Sequence, residues 1–332
     1  MSTAERLQAY YNFDEDVLAA VEDAAERQNR QSYTELADAY GLADGPLLSR
    51  PLPDTHRKLE YLDLRPAVEY DETHARLLFA PLGIAVDENM AMRAMRLFGT
   101  QPVERLVVVG SPALLGNRNN LLRFSDLPGT AAGNLSHTVW LALRQLQDDG
   151  VRTLDTLGYS YGADRAATAA SEAANFEIEA ERGVWAESPA VANRGLKLLT
   201  DFARSGKVLD DYVNAAQSDP LIEARKIAHK GSARYWAGMA RVGNLATAIT
   251  LARDSFSGRA LAALQEQPGM RATVAWGTAS EITDNDRMEQ IAHDLQTAFP
   301  GRVGALALEG MHHAGGDDID LHAAIMLQGL KV

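Results

Sequence analysis

The sequence contains no cysteine, which excludes disulfides, thiolate catalysis and cysteine-ligated zinc. It never runs to 18 uncharged apolar residues, so no segment is expected to cross a membrane as a helix. The opening stretch "MSTAERLQAYYNFDEDVLAAVEDAAERQ" has neither a basic start nor an uninterrupted apolar run, so it does not read as a signal peptide, and a cytoplasmic location is expected. Positive charge is in short supply. There are 32 Lys and Arg against 45 Asp and Glu, a net charge of −13, and no basic run of five. Phosphate recognition draws on clustered cations, so the charge balance argues against nucleic acid as a partner. Internal repeats and low-complexity segments are also missing.

What remains is an ordinary globular composition, 46% hydrophobic and 23% charged over 332 residues, enough for one large core with a smaller subdomain. The first 50 residues read as helices, with possible capping boxes at Ser2/Glu5 and Ser32/Glu35. "GPLLSRPLPD" (45–54) is the expected boundary. From about His56 short apolar strands alternate with helices: "KLEYLDLRP", "ARLLFAPLG", "ERLVVVGSP", "GVWAESP", "RATVAWG" and "RVGALALEG" read as strands. That alternation predicts an α/β chain with a mostly parallel sheet flanked by helices. Residues 189–267 break the pattern with helical spacing alone and are expected to form a helical cap. The division is therefore 1–55 N-terminal helices, 56–188 and 268–332 core, 189–267 cap.

The stretch "LDTLGYSYGADRAATAA" carries the chemistry. Gly158, Ser160 and Gly162 fall where a strand turns into a helix. Glycines two before and two after a serine allow the sharp turn that holds its hydroxyl out from the sheet edge, a nucleophile elbow. A base is expected on the loop after the last strand, "LEGMHHAGGDDIDLH". Gly-x-x-His spacing from Gly310 points to His313, with His312 as the alternative. The same stretch offers His312, His313, Asp317, Asp318, Asp320 and His322 to a metal, but the spacing fits no ligand pattern, and helix capping by Asp317 or Asp318 explains the acids. No metal or cofactor is expected.

An orienting carboxylate should lie between serine and histidine in the chain. "VAWGTASEITDND" offers Glu281, with Asp284 and Asp286 behind it, and "GVWAESPAV" offers Glu187. Ser280 stands where the commoner Gly-x-x-Asp spacing would place an aspartate. Glu281 is the expected acid, with Glu187 and Asp284 as alternatives. The oxyanion donors are expected to be the N–H of Tyr161 and that of Gly83 or Leu82, since Pro81 has none.

From about Arg57 onward these motifs resemble the α/β-hydrolase fold superfamily, in the form of a serine hydrolase with a helical cap. The resemblance implies attack by Ser160 on a carbonyl, proton transfer to His313, support from Glu281, and an oxyanion hole from Tyr161 and Gly83. A small-molecule ester or lipid-like substrate with an apolar acyl group is the expected substrate, given Phe202, Tyr212, Tyr235, Trp236, Met239 and Phe256 in the cap segment. The alternative is a non-catalytic binding or structural module on the same fold.

Overall fold

The computed structural model describes residues 2–31, 35, 36, 38, 48–51, 58–82, 88–112, 122–195, 197, 198, 200, 201 and 242–332. Its centre is an eight-stranded sheet in the order β1-β2-β4-β3-β5-β6-β7-β8. The strands are β1 (Leu48–Pro51), β2 (Lys58–Leu64), β3 (His74–Phe79), β4 (Leu106–Val109), β5 (Thr153–Tyr159), β6 (Glu179–Ala186), β7 (Arg271–Gly277) and β8 (Val303–Leu308). β1 and β2 run antiparallel to their neighbours, and every pairing from β4 across to β8 is parallel.

Parallel strands need crossover helices, and the helices cover both faces. Among the described residues, those of six or more residues are α1 (Thr3–Gln8), α2 (Glu15–Arg30), α3 (Glu88–Thr100), α4 (Ser136–Asp148), α5 (Tyr161–Glu172), α6 (Val242–Leu251), α7 (Phe256–Glu266), α8 (Asn285–Ala298) and α9 (Ile319–Gly329). Successive strand residues point to opposite faces, so one strand feeds two cores. Leu77 and Phe79 of β3 pack with α4, α5 and α7, while Leu78 packs with α1, α2, α3 and α9. This explains why the central strands read as unbroken apolar runs.

The N-terminus follows its capping signal: the Glu5 N–H donates to Ser2 Oγ and the Ser2 N–H to Glu5 Oε2. Ser32 lies outside the described residues. α1 and α2 are part of the core rather than an appendage, with Leu7, Val17 and Val21 buried against the sheet layer. Arg6 donates to both Asp318 and Asp320 at the start of α9, and Arg96 of α3 pairs with Asp320 as well.

Two boundaries differ from expectation. The proline-rich stretch placed between the helices and the core contributes β1, which pairs with β2 at the sheet edge, where proline's missing N–H is tolerated. α7, assigned to the cap, belongs to the core layer: Phe256 is fully buried and packs edge-on against Trp185 at 6.2 Å between ring centroids. The other five aromatic and methionine positions expected in the cap, from Phe202 to Met239, lie outside the described residues. So does Gly83.

Candidate active site

β5 ends at Tyr159 and α5 begins at Tyr161, leaving Ser160 alone to make the turn. Its backbone sits at φ 56°, ψ −130°, a conformation that side-chain-bearing residues avoid and that clusters at functional sites. The flanking glycines show what such a turn demands. A Cβ on Gly158 would lie 2.1 Å from the Gly162 carbonyl oxygen, and one on Gly162 would lie 2.1 Å from the Phe79 oxygen. The chain segments approach so closely that only hydrogen fits. The Ser160 N–H donates to the Ala186 carbonyl at 2.9 Å, so the elbow is tied to the end of β6. Tyr161 opens α5, and first-turn N–H groups are the ones a helix leaves for outside acceptors.

The helix behind the elbow is anchored by two charged residues. Arg165 is fully buried, donates to the carbonyls of Gly110 and Thr138 at 2.9 and 3.0 Å, and lies 4.4 Å over the Phe79 ring. Burial without a carboxylate partner pulls its pKa down to about 10, so it stays charged near neutrality. Asp164, pushed up by burial against the opposing pull of Arg259, accepts from Arg259 and, at 2.8 Å, from Ser188 Oγ.

The histidine loop follows β8 as expected. His313 Nε2 is 3.1 Å from Ser160 Oγ, and His313 Nδ1 is 2.8 Å from Glu187 Oε2. The structure therefore brings Ser160, His313 and Glu187 into one hydrogen-bonded chain. Glu187 is wholly buried at φ 55° and follows β6 directly. Its Oε1 accepts from the Gly277 N–H at 2.5 Å, and its Oε2 also accepts from Ser280 Oγ at 2.6 Å and Thr283 Oγ1 at 3.1 Å.

Glu281, the expected acid, does not reach His313. Its carboxylate is bonded to His312 Nδ1 at 2.5 Å. One residue earlier, Ser280 donates to Glu187, while Glu281, only 15% exposed, is directed to the half-exposed His312 instead. Asp284 is occupied elsewhere, capping α8 by accepting from the Arg287 N–H at 3.1 Å. Asp318 caps α9 by accepting from the N–H groups of Asp320 and Leu321.

No family model matches the sequence, and no curated protein matches it either. Solved structures do. The bromoperoxidase from Bacillus anthracis superposes with a TM-score of 0.56 at 11% identity, over 86% of this chain and 100% of that one. The enol-lactonase from Burkholderia xenovorans LB400 gives 0.54 at 15% identity over the same shares. This chain has the α/β-hydrolase fold. In an α/β-hydrolase sheet the strand ends carry the reactive groups, and Ser160 and Glu187 each stand directly after a strand, β5 and β6.

The opposite end of the sheet holds a cluster that sequence reading missed. His74, Glu104 and Asp155 place ligand-type atoms within 4.8 Å of one another. Arg182 already holds Asp155 through two bonds of 2.9 and 2.6 Å, and Arg76 holds Glu104 at 2.5 Å. Two guanidiniums in contact with the two acids make this an ion-pair network rather than a cation site. Charged residues scattered along strand starts carry no spacing signal, which is why the pattern was silent. Among the described residues, no helix is long and apolar enough to cross a membrane.

Proposed function

We propose that this α/β-hydrolase chain is a serine hydrolase that cleaves carboxylic esters with an apolar acyl group through an acyl-enzyme. The observation that supports this reading is the hydrogen-bonded chain Glu187–His313–Ser160, set at a strained elbow. With Nδ1–H donating to Glu187, the imidazole is held in the tautomer whose Nε2 lone pair faces the serine hydroxyl. Ser160 Oγ attacks the ester carbonyl and its proton passes to Nε2. The negative charge of Glu187 stabilises the imidazolium that forms. The Tyr161 N–H, with a second donor from the loop after β3, receives the developing oxyanion. His313 then gives its proton to the leaving alkoxide. A water deprotonated by the same nitrogen attacks the acyl-enzyme, releasing the acid and returning the proton to Ser160.

The choice of an apolar acyl group rests on the aromatic composition of the segment between β6 and α6. The decisive experiment combines a fluorophosphonate probe with hydrolysis of p-nitrophenyl butyrate. Covalent modification at Ser160, lost together with turnover in Ser160→Ala, is the expected result. A folded wild-type chain that takes no label and hydrolyses no activated ester would instead favour a non-catalytic binding module.

A further inference from the structure

We infer that Tyr159 is a positioning residue for His313: its buried hydroxyl clamps the loop that carries the imidazole to the strand that carries the nucleophile. The inference rests on the serine-hydrolase reading. Tyr159 is the last residue of β5, immediately before Ser160, and is 3% exposed. Its hydroxyl donates to the His313 carbonyl at 2.8 Å and accepts from the Gly316 N–H at 3.0 Å. One side chain thus holds two backbone groups of the single 3₁₀ turn that begins at His313.

The fit around the ring is close on every side. A Cβ on Gly316 would lie 2.2 Å from the Tyr159 ring, so the loop backbone rests directly on it. Arg93 Nη1 grips the Gly316 carbonyl at 2.5 Å. The imidazole of His313 lies 5.6 Å from the Tyr159 ring, and that of His322 packs at the same 5.6 Å. His322 stays neutral there, since burial and the charge of Arg93 pull it down to about 3 against the opposing effect of a hydrogen bond to the Gly316 backbone.

A phenylalanine would fill the same hole, so packing does not explain the hydroxyl. What the hydroxyl adds is a link between two segments 154 residues apart in sequence. Any shift of the β5 end carries the histidine loop with it, preserving the 3.1 Å between Ser160 and His313. The hydroxyl gives its proton to the loop backbone at His313 and accepts from it at Gly316.

Tyr159→Phe tests this, with p-nitrophenyl butyrate turnover, fluorophosphonate labelling of Ser160 and thermal melting measured on the full chain. The expected result is a kcat lower by about 10- to 100-fold, the scale of a misplaced catalytic group. KM should stay within about twofold, and the labelling rate should fall in step with kcat. If the wild type labels but the folded variant keeps wild-type kcat at any melting temperature, Tyr159 only supports the fold and the inference is overturned. A matching change in KM alone would also overturn it, by placing the hydroxyl on the substrate. A wild type that takes no label at all refutes the hydrolase reading itself, which is a separate outcome. Should Tyr159→Phe not fold, Gly316→Ala displaces the loop from an intact hydroxyl; the same fall in kcat is expected, and an unchanged kcat overturns the inference.

Discussion

His312 and His313 are neighbours in the chain, yet each is bonded to a different carboxylate. His313 Nδ1 meets Glu187 at 2.8 Å and His312 Nδ1 meets Glu281 at 2.5 Å. The imidazole of His313 is 11% exposed and that of His312 is 49% exposed, so the first imidazole is much the better shielded from water.

The two pairs are expected to separate cleanly in kinetics. On the proposed mechanism Glu187→Gln removes the charge that stabilises the imidazolium, and the equivalent change in a serine protease costs about 10⁴ in kcat. A loss of similar order is expected here, with His313→Ala at least as damaging. Glu281→Gln and His312→Ala should keep kcat within about tenfold. Steady-state turnover of an activated ester ranks all four; a Glu281→Gln loss exceeding that of Glu187→Gln would reverse the assignment.

Gly162→Ala should damage the fold before it damages the chemistry. The added methyl meets a backbone carbonyl of β3, which cannot swing aside as a side chain can. Overpacking of this kind costs about 1–3 kcal/mol, and a backbone obstacle belongs at the upper end. A fall in the urea midpoint without a change in m-value is the expected reading.

Two buried histidines should give stability a maximum near pH 6.5. Burial alone would lower the pKa of His74, but the hydrogen bond and charge of Asp155, with Glu104 and Glu181, outweigh it and hold it raised. A raised folded pKa means the contribution is complete below the unfolded value and is lost as pH climbs from about 6.5 through the folded one. His322 works the other way: at about 3 when folded, it leaves the unfolded chain binding more protons between pH 3 and about 6.5, so stability falls on acidification. Each limb can approach about 1.4 kcal/mol per pH unit for one uncompensated proton. Urea midpoints across pH 4–9 check this, with His74→Gln flattening the alkaline limb and His322→Phe the acid one.

Arg6→Ala should cost about 2–3 kcal/mol, because it strips a shared partner from Asp318 and Asp320, two carboxylates almost wholly buried. Asp318→Asn in the same background should recover part of the loss by removing the carboxylate charge that Arg6 had faced, Asp320 keeping Arg96. Equilibrium unfolding of the single and double variants gives the coupling.

The parallel sheet was legible because fully buried strands leave unbroken apolar runs, as in "ARLLF" and "LVVV". The elbow was legible because its glycines are steric necessities and fall where a strand-like stretch turns into a strong helix former. β1 was hidden by the prolines in and around it, which read as a linker, although a proline such as Pro51 is also what a sheet edge accepts. The acid was obscured for a different reason. Both Glu187 and Glu281 follow strands, and only side-chain direction separates them. That direction is a three-dimensional fact with no periodicity. Tyr159 stayed silent for the same cause: a tyrosine at the end of a buried strand looks like any core aromatic until the loop folded over it is known.

The contact between Ser280 and Glu187 has a consequence for how such centres diversify. Ser280 Oγ reaches to 2.6 Å from the carboxylate that faces the imidazole, so side chains from β6 and from the turn after β7 converge on one spot. Both the Ser280 hydroxyl and the His313 imidazole meet the same oxygen, Glu187 Oε2. The pair Glu187→Ser with Ser280→Asp would exchange donor and acceptor across that gap while leaving nucleophile, base and sheet untouched. A lineage could move its acid between strands by way of such a shared hydroxyl–carboxylate seat, with no rearrangement of the backbone.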